Sequence, residues 1–147
     1  MSALIVKGVL FALLLLAAAV WDIKRREIPN MIPVLILACG LLCFEPLNAI
    51  KGLLFTGLPY FLAAIFVKRS GLAIGGGDIK LMAACGFVLG VWAGVLQSVL
   101  SLFLAVLSGI VTAFIMKQKF EDVKIPLAPC FCVGGILSFA AVVAASI

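Results

Sequence analysis

The sequence predicts an all-α integral membrane protein, a single polytopic domain over residues 1–147 with about six transmembrane helices and little outside them. Three observations predict it. Hydrophobic residues make up 66% of the chain and charged residues 12%, where a soluble domain carries about a quarter charged. Mean hydropathy is +1.38. The polar residues collect in short clusters, and the apolar runs between them approach the roughly 20 residues that cross a bilayer. No separate soluble domain is expected.

The first span is predicted over Ala3 to Trp21, ending on an aromatic that favours the headgroup level. It lacks a basic start, and Trp21-Asp22-Ile23-Lys24 is a poor cleavage site, so it reads as a retained helix and not a signal peptide. A polar loop, Asp22 to Glu27, follows. Ile28-Pro29-Asn30 restarts the chain, because proline fixes its own φ and pushes its predecessor towards extended geometry. The second span then runs to about Phe44, where Glu45-Pro46-Leu47-Asn48 makes a turn. The third covers Leu53 to Val67 and stops at Lys68-Arg69-Ser70-Gly71. The next loop ends in Gly75-Gly76-Gly77, three residues that argue against a rigid helix there.

From Ile79 to Met116 the chain is apolar except for Lys80, Gln97, serines and one threonine. These 38 residues are too many for one crossing and suit two, with the break at Gly90-Val91-Trp92-Ala93-Gly94. The polar stretch Lys117 to Lys124 precedes a sixth span from about Ile125. No internal repeat is evident. The five cysteines, Cys39, Cys43, Cys85, Cys130 and Cys132, lie in apolar runs and there is no histidine. They read as small buried hydrophobes, since zinc ligands usually pair on polar loops. No metal, cofactor or nucleic-acid partner is expected.

Charge gives an independent test of this order. Nine of the eleven basic residues fall on the first, third and fifth connections, leaving Lys7 and Lys51 for the other side. With six spans those three connections share one face, which the positive-inside rule makes cytoplasmic. Both termini are then outside, and Asp22 and Asp78 meet on the cytoplasmic face.

Acids beside membrane spans are a functional hypothesis by default. Glu27, Glu45, Glu121 and Asp122 sit in loops or turns and read as solvated charge. Asp22 and Asp78 each abut a long apolar run. Two carboxylates held close share a proton; the charged one activates a water while the protonated one polarises a peptide carbonyl. Glycines before Asp78 admit a substrate backbone. Other readings stay open on spacing alone: Asp78 as a helix N-cap, Asp22 as an interfacial acid offset by Lys24 and Arg25, and Lys24 and Lys80 as snorkelling anchors. A proton or cation relay in a small transporter or channel component is the competing function, and a non-catalytic assembly factor a third.

Three strings carry a family resemblance. Gly75-Gly76-Gly77-Asp78 matches the GxGD signature of intramembrane aspartyl proteases, and GGGDIKLMAACG, from Gly75 to Gly86, resembles that of the bacterial type IV prepilin peptidases. WDIKRREIPN, from Trp21 to Asn30, resembles the family's first catalytic loop, and KIPLAPCFCVGG, from Lys124 to Gly135, its proline-bearing last span. The resemblance implies a membrane-embedded aspartic endopeptidase of the bacterial cytoplasmic membrane. It would remove the short basic leader of prepilin or pseudopilin precursors on the cytoplasmic side. Asp22 and Asp78 take the catalytic positions, Gly75, Gly76 and Gly77 form the substrate loop, and Lys24, Pro29, Asn30, Lys80, Pro126 and Pro129 are supporting motif positions. Acidic Glu27 is placed to attract a cationic leader. Larger members carry an extra cytoplasmic domain with paired cysteines near the first span, associated with N-methylation. The first loop here is about eight residues without cysteine, which resembles the short, protease-only form of tight-adherence (Flp-type) pilus systems. Leu127-Ala128 stands between the last prolines where relatives often have Phe-Gly.

Overall fold

The computed structural model describes residues 2–42, 45–69, 75–116 and 127–145, and every regular element among them is helical. Five helices follow in order: α1 (Ser2–Arg25), α2 (Met31–Gly40), α3 (Pro46–Arg69), α4 (Gly76–Met116) and α5 (Ala128–Ala145). Four of them, α1, α3, α4 and α5, are long and apolar enough to cross a membrane; α2 is an apolar helix of 10 residues. The polarity is that of a lipid-solvated protein. Trp92 is 90% and Phe114 86% exposed, while Lys7, Asp22, Thr56, Gln97, Ser101 and Ser138 are buried.

Several expected boundaries move. α1 continues past Trp21 to Arg25, so Asp22 and Lys24 lie in its last turn and not on a loop. Cations in that turn complement the partial negative charge of a helix C-terminus, and the Arg25 guanidinium stacks 5.6 Å from the Trp21 ring centroid. The expected turn at 45–48 is the first turn of α3, since proline suits an opening position where its missing N–H costs nothing. α2 stops at Gly40, short of Phe44. α4 begins at Gly76, so two of the three glycines are helical, in the first turn where backbone N–H groups have no partner to lose.

α4 is not a single rod. Gly90 adopts φ 76° and ψ −171°, a conformation open essentially to glycine alone. A methyl group on Gly94 would lie 3.3 Å from the Cα of Gly86, whereas residues eight apart on a continuous helix are about 12 Å apart. The chain therefore folds back at Gly90, where a break was expected, into arms over 76–89 and 91–116. A side chain on Gly86 would collide with Thr56 and the backbone of Gly52. The Thr56 hydroxyl lies 2.9 Å from the Gly52 carbonyl and 3.0 Å from that of Met82, joining α3 to the first arm. Lipid gives apolar helices little reason to associate, so close approach through small residues and interhelical hydrogen bonds supplies the cohesion. The second arm packs on α5, where Gln97 Nε2 donates to the Phe131 carbonyl at 3.1 Å.

α1 and α5 run antiparallel, Leu15 and Gly8 meeting Gly135 and Phe139. So do α3 and the first arm of α4, Gly52 and Gly57 meeting Gly86 and Ala83, whereas α2 runs parallel to that arm, Asn30 lying by Lys80 and Gly40 by Phe87. The bundle thus has two ends. One gathers the end of α1 and the starts of α2, α4 and α5; the other gathers Gly90, the end of α2 and the start of α3.

Candidate active site

On α1 the buried positions Phe11, Leu15, Ala18, Ala19 and Asp22 recur at the spacing of one helical face. The carboxylate thus continues the stripe that packs into the core. Arg26 then takes φ 52° while its N–H still bonds to the Asp22 carbonyl at 2.8 Å, closing the helix and turning the chain. Pro29 follows, its carbonyl accepting from the Ile32 N–H at 3.1 Å, and Asn30 stands at the N-cap position of α2 without a side-chain cap hydrogen bond.

On α4 the buried residues Leu81, Met82, Cys85 and Leu89 define the inward face, and Asp78 lies on that same face one turn earlier. Its N–H bonds to the Gly75 carbonyl at 3.0 Å. The glycines serve different ends. A side chain on Gly77 would come 3.1 Å from Ile28 Cβ, and one on Gly75 would come 3.0 Å from Asp78 Oδ2, while Gly76 faces open space. Asp78 itself is not the N-cap that one reading allowed; it is the third residue of α4.

Asp22 and Asp78 face one cleft of about 260 Å³, walled by the three glycines, Ile28, Arg26 and Glu27. Asp22, 7% exposed, has Oδ2 accepting the Ala128 N–H at 3.0 Å from the start of α5. Asp78 Oδ1 is buried and has no hydrogen-bond partner among the described residues. Beside the cleft, Lys80 Nζ donates to Asn30 Oδ1 at 2.9 Å, tying the start of α4 to the start of α2 across 50 residues of sequence. Two carboxyls opening on one sheltered cleft have the elements of general acid–base chemistry on a water.

Of the supporting positions, none of Lys24, Pro29, Asn30 and Lys80 lines the cleft: Lys24 is exposed on α1, Pro29 follows the cleft residue Ile28, and Asn30 and Lys80 line a separate pocket with Pro33 and Leu53. Pro129 is the second residue of α5, and Pro126 lies outside the described residues. Reasoning from side chains missed the Ala128 amide, because a backbone donor has no residue signature; the proline-bearing start of α5 was its nearest sequence signal.

Comparison with known proteins places the chain in a family by sequence. A family model described as "Type IV leader peptidase family" matches residues 9–115. A curated relative from Bacillus subtilis (strain 168), "Prepilin leader peptidase/N-methyltransferase", is 32% identical over 138 residues, covering 90% of this chain and 54% of the relative. The chain thus spans about half the length of that relative. No solved structure matches.

Proposed function

The chain belongs to the type IV leader peptidase family, and on that premise we propose that it is an aspartic endopeptidase that removes the leader of prepilin or pseudopilin precursors at the cytoplasmic face of a bacterial cytoplasmic membrane. The observation that carries the reading is the pair Asp22 and Asp78, delivered by two helices to one cleft.

In this reading α1, α2, α3, the two arms of α4 and α5 make six crossings, with both termini outside. The alternation of direction supports it, as do Lys24, Arg25, Arg26 and Lys80, all at the aspartate end. The ten residues of α2 reach only about 15 Å, so this crossing needs local thinning of the bilayer or the flanking chain to complete it.

One carboxylate takes a proton from a water as its oxygen attacks the scissile carbonyl; the protonated partner donates to the carbonyl oxygen. Collapse of the resulting diol breaks the C–N bond, and the departing amine receives a proton from the pair. Open space at Gly76 lets the substrate backbone approach, and Glu27 on the cleft wall meets a cationic leader. The reading is confined to the peptidase half of the relative's printed name, because only five residues join α1 to α2, where the resemblance places the additional domain of larger members.

The test is cleavage of a pilin precursor by the purified protein in liposomes, beside Asp22→Asn and Asp78→Asn. Wild-type cleavage lost in both variants, each still folded, supports the reading. A variant that cleaves like wild type overturns it, and proton or cation flux without cleavage would move the relay to the front.

A further inference from the structure

We infer that Asp22 is the ionised, water-activating member of the pair and Asp78 the protonated one, and that the backbone N–H of Ala128 is the positioning group that sets this asymmetry. The inference rests on the two-aspartate reading and deepens it.

The two carboxyls are not equivalently solvated. Asp22 is buried, and a buried carboxylate keeps its charge where hydrogen bonds replace water. Its Oδ2 receives the Ala128 N–H at 3.0 Å. That donor belongs to the first residue of α5, where amides are free of helical partners and the helix end carries partial positive charge. A backbone N–H can only donate, and it stabilises the anion more than the neutral acid. Asp78 has the reverse setting, with Oδ1 buried and without a partner among the described residues. The first turn of α4 also favours negative charge on Asp78 through space, but a direct charge-assisted hydrogen bond outweighs that effect by about two- to threefold. The shared proton resides on Asp78.

This orders the proton transfers. Water gives its proton to Asp22 while Asp78 gives its own to the carbonyl oxygen. On collapse of the diol, Asp22 passes its acquired proton to the leaving amine and Asp78 recovers one from the diol hydroxyl, so both return to their starting states. The proline-bearing start of α5 thereby acquires a task. Pro129 has no N–H, so it presents no competing donor beside the Ala128 amide.

The experiment is the pH profile of precursor cleavage by the full chain in liposomes. Ala128→Pro removes the donor at a position where the fixed φ of proline is tolerated. Lactic acid installed at position 128 by nonsense suppression replaces the amide with an ester, which removes the N–H, keeps the methyl side chain and weakens the Leu127 carbonyl that accepts from the Phe131 N–H. Among the described residues, the charged groups around Asp22 are Asp78 from α4, Arg26 and Glu27 on the cleft wall, and Lys24 and Arg25 on its own helix; α2 and α5 carry thiols alone as titratable side chains. None of these changes in either substitution. The acid limb is expected to move to higher pH by about one to two units, and alanine installed by the same route leaves it in place. An ester variant that is folded, cleaves, and keeps the wild-type limb overturns the assignment while the proteolytic reading stands. Should Ala128→Pro fail to fold, the ester decides. A wild-type protein that cleaves nothing overturns both.

Discussion

The two ends of the bundle use similar groups to opposite effect. At the Gly90 end the exposed Asn48 uses its side chain locally: Oδ1 accepts the Val91 N–H at 3.2 Å and Nδ2 donates to Glu45 at 3.5 Å. At the aspartate end another helix-start amide, that of Ala128, is met by a carboxylate that still opens on a cleft. A neutral amide closes the turn and brings no charge or transferable proton to it. A carboxylate keeps a second oxygen and a charge. The lesson is that a stable loop and a reactive one differ here in what remains after the backbone is satisfied, a distinction that substitutions can break or sharpen.

The largest effect belongs to the reactive end. Asp22→Asn and Asp78→Asn each lower precursor cleavage by about a thousandfold or more, and the double variant is no worse than either single one, because residues acting as a unit are not additive. Single-turnover cleavage of a labelled precursor measures this, and a double variant that loses the product of both factors would show that the aspartates act separately. At the other end Gly90→Ala forces a side chain into a glycine-only conformation, with Asn48 2.7–2.9 Å from the new carbon. It lowers stability in detergent by about 2 kcal/mol while cleavage per folded molecule holds, as thermal unfolding beside an activity titration reports. Asn48→Ala loses the Val91 bond and lowers the same melting point by about 1 kcal/mol equivalent, again without altering the cleavage rate of folded protein. The smallest change is Lys80→Met, which unties α4 from Asn30; cleavage falls about two- to fivefold through misalignment, read as a loss in kcat with KM held.

Much of this was legible in the sequence because chemistry and spacing coincide. Asp22 and Asp78 stand out as acids against long apolar runs, the break at Gly90 is written in glycine and run length, and Lys80 and Asn30 lie in the strings that carry the family resemblance. What stayed hidden depended on tertiary context. The end of α1 looks polar enough to be a loop, yet Asp22 extends the buried stripe of Phe11, Leu15 and Ala18, so helix continuation buries one acid and leaves the cations outside. Gly76 and Gly77 read as helix breakers, but their place in the first turn and the contact of Gly77 with Ile28 make the absence of side chains useful. The Ala128 donor is backbone and could be located only by folding α5 against α1.

The crossing at Gly52 and Gly86 also has a mechanical meaning. It pins the first arm of α4 at a fulcrum, with Asp78 about 12 Å away along the lever. A tilt of about 5° about that fulcrum swings the carboxyl by about 1 Å, a displacement large enough to cost about a hundredfold in rate. In the proposed peptidase, alignment of the pair is therefore adjusted from the Gly90 side of the bundle, and small changes in packing around Thr56 act on it like a set screw.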